Sequence, residues 1–176
     1  MTLVIPKIFR KFREKTGFSL IEALVVMAMV AIVATLAIPR LSSLRDDLAL
    51  KGATKTLAAD LQYARVASLR RQSRVVVSLT NNASSYQIFV DANDNASLDA
   101  GETVLKSVAL PQAVTLSSVA FFGCATGPQF VRGQPSCLAG GGNGSLRLVS
   151  GRTNSFYKIK LSRSGRVVVC DKNSDC

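Results

Sequence analysis

One stretch of this 176-residue chain limits every other choice it can make. From Phe18 to Ile38 the sequence reads FSLIEALVVMAMVAIVATLAI, 21 residues with a single charge, Glu22. As a helix rising about 1.5 Å per residue it spans roughly 30 Å, the thickness of a bilayer's hydrocarbon core. Pro39 closes the run. Ahead of it lies a short basic leader, in which Lys7, Arg10, Lys11, Arg13 and Lys15 face only Glu14. Positive charge on that flank predicts that the leader stays cytoplasmic. Glu22 needs a reason to be there. An ionised carboxylate in lipid costs roughly 2.5–3.5 kcal/mol on insertion scales, so it either snorkels to the interface or has a partner.

The residues around Glu22 supply a reason. Gly17 followed by Phe18, with Glu22 five residues after Gly17, resembles the prepilin signature of type IV pilins and type II secretion pseudopilins. The match reads without a gap to Pro39. The resemblance implies that an inner-membrane prepilin peptidase cuts between Gly17 and Phe18 and methylates the new amino terminus of Phe18. It implies that Glu22 neutralises the N-terminal ammonium of an adjacent subunit during assembly. Two charges that are each costly in an apolar filament core are tolerated as a pair. Pro39 matches the family's helix-kinking proline, which removes one helical N–H and crowds the preceding turn. A cut ahead of the apolar run leaves the run in place as an anchor, unlike a cleaved secretory signal. The expected organisation is a leader (1–17), a transmembrane assembly helix (18–38), an amphipathic helix (39–72) and a periplasmic β-rich domain (73–176), crossing the inner membrane once.

The chain carries a formal charge of +11, of which the leader supplies +4, leaving +7 before the new amino terminus is counted. Such a balance fits a solvated surface, and equally nucleic acid or anionic lipid. There is no His, which excludes Ser-His-Asp and Cys-His catalysis, and no phosphate-binding GxxxxGK[ST] loop. An enzyme is therefore not expected, nor a resident cofactor. All four Cys lie beyond residue 120. An even count in an exported domain reads as disulfides, with three pairings open. We expect the sequence-local one, Cys124 with Cys137 and Cys170 with Cys176, the second pinning the tail to the last strand. The spacing does not suit a zinc ribbon.

After Pro39 the apolar positions narrow to one stripe of Leu41, Leu44, Leu48, Leu57, Leu61, Ala64 and Ala67, predicting an amphipathic helix to about Arg71 with Gly52 as a weak point. Arg65, Arg70, Arg71 and Arg74 near its end suit a helix C-terminus. Strands are expected at Arg74–Thr80, Tyr86–Val90, Thr103–Leu110, Val114–Phe122, Ser145–Ser150, Phe156–Leu161 and Arg166–Cys170. The Gly-rich segment Gly123–Gly144 reads as a loop. A helix followed by mostly antiparallel strands is an α+β arrangement, a long helix packed on a sheet. The order Leu61-Gln62-Tyr63-Ala64-Arg65, Asp91-Ala92-Asn93-Asp94-Asn95, Asp99-Ala100-Gly101-Glu102 and Ser164-Gly165-Arg166 resembles the GspH/FimT group of minor pilins and pseudopilins. That resemblance implies a pilin-like fold and a minor subunit that initiates or caps a type IV pilus together with other pilins. A minor pseudopilin of type II secretion is the alternative machine.

Two further constellations carry chemistry. Asp91, Asn93, Asn95, Ser97, Asp99 and Glu102 fall at positions 1, 3, 5, 7, 9 and 12 of a calcium loop. Ala96 stands where that loop's sharp turn wants Gly, and an Asx-rich hairpin turn explains the same residues. Lys158 and Lys160 share one face of a strand, and Arg163 and Arg166 flank the turn after it, a set that suits a phosphate backbone. Phe156 and Tyr157 offer rings for base stacking, although aromatics in strands usually serve the core. Group members in transformable bacteria bind DNA through a Gly-Arg-x-Arg motif. Here the motif reads Gly165-Arg166-Val167-Val168, without its second arginine.

Overall fold

The computed structural model of the chain describes residues 17–121, 123–124, 126–136 and 143–175. Most of the leader, the end of the fourth expected strand at Phe122, and Cys137 and Cys176 lie outside the described residues. Contacts divide the chain into two units, one ending at Arg40 and the other beginning at Leu41. A single helix, α1 (Leu20–Arg71), belongs to both.

In the first unit α1 starts where its capping residues dictate. Ser19 stands at the N-cap position, and its carbonyl accepts the Ala23 N–H at 3.1 Å. Glu22 falls in the first turn, three residues on, in the S-x-x-E pattern of a capping box. Its negative charge is favoured there by the helix dipole. The following turns carry apolar side chains on every side, and these are exposed, with Met27 at 71% and Met29 at 62%. The most apolar 18-residue window has a mean hydropathy of 2.6 with none of it buried, so the helix is long and apolar enough to cross a membrane. The backbone at position 39 is helical. The kink expected there rests on a side chain outside the described residues.

In the second unit α1 buries one face, made of Leu50, Ala53, Leu57, Leu61, Ala64 and Ala67. The expected stripe is thus corrected at its start. Leu41, Leu44 and Leu48 are exposed, each above half. The reason is phase: at about 100° per residue, nine positions from Leu57 back to Leu48 are about half a turn out of register, while Leu50 and Ala53 keep it. Gly52 does not break the helix. It ends at Arg71, and Gln72 takes a left-handed φ of 53°, the usual conformation just past a helix.

The strands form two antiparallel sheets. Sheet A holds β1 (Arg74–Ser78), β2 (Ser85–Asp91), β3 (Thr103–Ala109), β5 (Gln129–Val131) and β6 (Gln134–Pro135) in the order β3-β2-β1-β5-β6. Sheet B holds β4 (Val114–Ala120), β7 (Gly144–Ser150), β8 (Phe156–Leu161) and β9 (Val167–Val169) in the order β4-β7-β8-β9. Central strand β1 has Val75, Val76 and Val77 fully buried. On β7, Leu146 and Leu148 are buried between half-buried neighbours, in strict alternation. The sheets are stitched at the β1–β2 turn: Asn82 N–H donates to the Leu116 carbonyl at 2.8 Å, and Leu116 N–H to Ala83 at 3.0 Å. The segment expected to be loop from Gly123 to Gly144 contains the β5–β6 hairpin. Its two-residue turn, Arg132-Gly133, has φ of 47° and 77°, the two positive values that a type I′ turn requires.

Three side chains of α1, Asp60, Arg65 and Ser68, reach across to the sheets and their turns. Asp60, 5% exposed, accepts the Tyr86 hydroxyl of β2 and the Lys106 ammonium of β3, both at 2.6 Å. Burial, then the Asp60 carboxylate, pushes the Tyr86 phenol far above its ordinary value. Arg65 is not merely a dipole charge, as its position near the helix end suggests. Its Nε donates to the Gly133 carbonyl at 2.8 Å and its guanidinium NH1 to Gly165 at 3.3 Å, so one fork holds a turn from each sheet. Ser68, fully buried, accepts the Gly133 N–H at 2.9 Å. Both glycines have left-handed φ, 77° in each case. A Cβ at Gly165 would meet Arg65 at 2.9 Å, and one at Gly133 would meet Leu69 at 2.7 Å.

Arg65→Ala removes a charged donor from two buried carbonyls, and we expect it to lower unfolding stability by roughly 2–4 kcal/mol in urea titration. Arg65→Lys is expected to recover less than half, because an ammonium does not fork between two acceptors.

Candidate functional site

Three places carry functional side chains. The first is the junction from Gly17 to Glu22. Gly17 and Phe18 precede the helix, outside any regular element, and nothing lies within 4 Å of where a Gly17 side chain would be. Phe18, Leu20 and Ile21 are exposed. A scissile bond needs this openness. The amine that a cut would create at Phe18 lies one residue ahead of Ser19, at the positive end of the helix dipole, where a cation is disfavoured. Glu22 stands in the first turn of the same helix.

The second place is a basic surface. On β8, Ile159 and Leu161 are buried, so Lys158 and Lys160 share the outward face as expected. Tyr157 packs against the core. Lys158 is already neutralised: its ammonium lies 3.1 Å from Asp175, whose same oxygen takes Arg147 at 2.9 Å. Lys158 first, then Arg147, holds the Asp175 carboxyl below the usual range. Arg163 and Arg166, in the β8–β9 turn, are exposed. Arg132, a basic residue outside the set Lys158, Lys160, Arg163 and Arg166, is also exposed, in the β5–β6 turn. Because Arg65 grips Gly133 and Gly165 together, Arg132 and Arg166, each next to one of them, come to the same end of the unit. The Arg132-Gly133 dipeptide, a turn signal inside the Gly-rich segment, is what marks it in the sequence.

No described acid answers these three turn arginines. Asp46 faces Arg152, Asp47 faces Lys172, Asp60 faces Lys106, and Asp94 faces Arg74 at 2.9 Å. The last is a close ionic contact without an aligned hydrogen bond, since Arg74 Nε is left unpaired in that sense. Arg74, first residue of β1 as expected, holds the β2–β3 loop instead of the helix end. Lys172, and after it Thr153, holds the Asp47 carboxyl below its usual value against the opposing effect of burial. Arg70 and Arg71 do occupy the last turn of α1.

The third place is the loop from Asp91 to Glu102, where the calcium-like spacing lies. Asp91, 2% exposed, accepts the Asn95 N–H at 3.2 Å and the Ala96 N–H at 2.9 Å. Glu102 accepts the N–H groups of Ala92 and Asp99. Asp99 takes the side-chain amides of Asn93 at 2.7 Å and Asn95 at 2.6 Å, which hold its carboxyl below the usual range. Ser97 N–H bonds Asn95 Oδ1. The loop is thus an Asx-turn network closed on itself. Among the described residues no group of three or more His, Cys, Asp or Glu side chains is placed to hold a metal ion. Ala96 adopts φ of 62°, the left-handed conformation that the spacing assigns to glycine.

Cys124 and Cys170 are both disulfide-bonded. Their expected partners Cys137 and Cys176 lie outside the described residues. A cavity of about 400 Å³ lined by Leu79, Asn81, Val119, Phe121, Thr126 and Gly127, among others, has no charged side chain in its wall.

Comparison with known proteins gives a consistent picture. The family described as type II transport protein GspH matches residues 53–165, and the prokaryotic N-terminal methylation motif matches residues 13–38. The pilin-like protein PilA1 of Thermus thermophilus is 37% identical over 89 residues, which are 50% of this chain and 56% of PilA1. The chain therefore spans about half the length of this curated relative. Among solved structures, the minor pseudopilin EpsH from the type 2 secretion system of Vibrio cholerae aligns with a TM-score of 0.52 at 8% identity, over 69% of this chain and 95% of EpsH. The type IV minor pilin FimU of Pseudomonas aeruginosa aligns with a TM-score of 0.52 at 16% identity, over 69% of this chain and 88% of FimU. At such identities the likeness is one of fold.

Ala96→Gly is expected to raise stability by roughly 0.5–1 kcal/mol in thermal unfolding, since Gly holds a positive φ without the Cβ clash. Millimolar calcium is expected to leave the same melting temperature unchanged, because the loop's carboxylate oxygens are already taken by its own N–H groups.

Proposed function

The chain belongs to the GspH family, and from that premise we propose that it is a minor type IV pilin. In this reading it is anchored in the bacterial inner membrane by residues 18–38, holds its β-rich unit in the periplasm, and initiates or caps a pilus. Its work is assembly with other pilins, after a prepilin peptidase has cut between Gly17 and Phe18 and methylated Phe18. The observation that carries the reading is the exposed, wholly apolar first part of α1 with one carboxylate, Glu22, in its opening turn right after an accessible Gly-Phe junction. Such a helix is stable in lipid, and equally among like helices. The charge at Glu22 is tolerated in either place once an ammonium meets it. The name of its pilin-like relative favours the pilus over the secretion machine.

A second reading concerns DNA at the tip of such a filament. What supports it is the cluster of Arg132, Arg163 and Arg166 on two turns that Arg65 draws together, with no described acid against them. Arg132 supplies from sheet A a charge of the kind that the missing second arginine of Gly165-Arg166-Val167-Val168 would give. Exposed arginines at turns suit phosphates, which they can meet bidentately.

The first reading is tested in the native host. Mass spectrometry of the membrane-extracted protein is expected to show a chain beginning at methylated Phe18, and Glu22→Ala is expected to remain in the membrane while disappearing from sheared filaments. An untrimmed start, or filaments that incorporate Glu22→Ala normally, overturns it. For the second reading, duplex DNA is expected to bind with a salt dependence whose slope falls by about 2 on changing Arg132 and Arg166 together to Ala. Absence of binding at low salt overturns that reading.

A further inference from the structure

Leu41, Leu44 and Leu48 are 53%, 53% and 59% exposed, on the side of α1 that looks away from both sheets. At about 100° per residue the three fall within about 60° of one another, and Leu48 lies about half a turn from Leu57 on the buried face. The flanks of this stripe are basic. Arg45 and Lys51 stand about 60° to either side of Leu48, and Lys55 is nearly in line with it two turns on, all three exposed. The two acids of the stretch turn the other way. Asp46 faces Arg152 at 3.6 Å, and Asp47 takes Lys172 and, at 3.2 Å, the Thr153 hydroxyl. After Leu48 the outward positions become Lys51, Gly52 and Lys55, so the apolar stripe stops there.

We propose that this stripe is a lipid-surface seat. Leu41, Leu44 and Leu48 sink into the boundary of the bilayer that residues 18–38 cross, and Arg45, Lys51 and Lys55 meet the phosphates of anionic phospholipid there. The inference rests on the membrane-anchored reading above. Continuity supports it, since Leu41 comes three residues after Ile38 in the same helix. Charge supports it as well. Leucines flanked by Lys and Arg, whose stems lie along apolar surface while their heads reach outward, are the composition of helices that lie in a membrane interface. Negative headgroups attract each basic residue held near them. Depth decides the posture. Held upright, α1 would carry Leu48 about 15 Å beyond Ile38, clear of the roughly 5–10 Å in which interfacial helices bury their apolar side. Leaning toward the leucines brings all three within that layer. Pro39 contributes no N–H to the helix and so offers least resistance to bending. Leu50, Leu57 and Leu61 give the opposite face to the core, so a unit that leans this way keeps its sheets off the lipid. Lipid then covers the outer face of the helix until the subunit is drawn into a filament.

The chain contains no Trp, so a single introduced one reports its own surroundings. Leu48→Trp and Val66→Trp place it on the same face of α1 about five turns apart, both at exposed positions. Each full-length variant is reconstituted at one copy per nanodisc, in phosphatidylcholine alone or mixed with phosphatidylglycerol. Fluorescence is quenched by acrylamide from the water and by brominated acyl chains from the lipid. In the mixed lipid, Leu48→Trp is expected to be quenched by acrylamide about threefold less than Val66→Trp, and by brominated chains about threefold more. Changing Arg45, Lys51 and Lys55 together to Gln, or leaving out phosphatidylglycerol, is expected to erase about half of that difference or more. Equal quenching at the two positions in an inserted chain overturns the seat and leaves the anchor standing. A difference that appears only when two copies share a disc overturns the seat too, because a second copy is then the cover. A difference unmoved by headgroup charge overturns the pairing of the three cations with lipid phosphate. A chain that does not insert into the discs at all overturns the anchored reading and the seat together.

Discussion

A single guanidinium decides how the β-rich unit is put together. Arg65 projects from α1 and donates to one carbonyl in each sheet, Gly133 of sheet A and Gly165 of sheet B. Each acceptor sits on a turn whose glycine has a positive φ and no room for a Cβ. Charge-assisted hydrogen bonds to buried carbonyls are among the stronger local interactions a fold can use. The apolar stripe of α1 supplies the bulk of burial, but burial is non-directional. The fork sets which turns meet, and with them which exposed arginines become neighbours. Asp60 does the corresponding work at the other edge of sheet A, receiving Tyr86 and Lys106 one helical turn earlier.

The N-terminal segment obeys a different constraint. Its large apolar side chains are exposed, and the one carboxylate among them, Glu22, stands in the first turn, where the helix dipole favours it. For a member of the GspH family carrying the methylation motif, this is the part of the chain that is made for company. The β-rich unit, by contrast, spends many of its polar side chains on its own chain, though Arg74 Nε and Arg147 Nε are buried without a hydrogen bond. Even in the Asp-rich loop that resembles an ion site, Asp91 and Glu102 bond the loop's own backbone and Asp99 its own asparagine amides.

Much of this was legible in the residues. The apolar run with its lone carboxylate marked the anchor, β-branched alternation marked seven of the nine strands, and the α+β class followed. What escaped reading has physical causes. The β5–β6 hairpin lies in a Gly- and Pro-rich stretch, where composition argues for loop and only pairing with β1 makes strand. The partition into two sheets depends on long-range pairing that periodicity does not encode. The start of the buried helical stripe was misplaced because leucines three and four apart look in phase over short distances, and the error from Leu57 back to Leu48 accumulates to half a turn. Arg65 and Arg147 were invisible as anchors because their partners are 68 to 100 residues away or sit after the last strand. A lysine pair on β8 was read correctly as sharing a face, yet the acid that quenches one of them could be seen only in three dimensions.

The misplaced leucines carry one more lesson. Leu41, Leu44 and Leu48 point away from the face that α1 gives to the sheets, so the same helix is oily on two opposite sides. A fragment trimmed to begin just after Arg40, the obvious cut for a crystallographer wanting a water-soluble piece, would keep three bare leucines near its raw end. Its solution behaviour, including any tendency to pair with itself, would report on that scar before it reported on anything the intact subunit does.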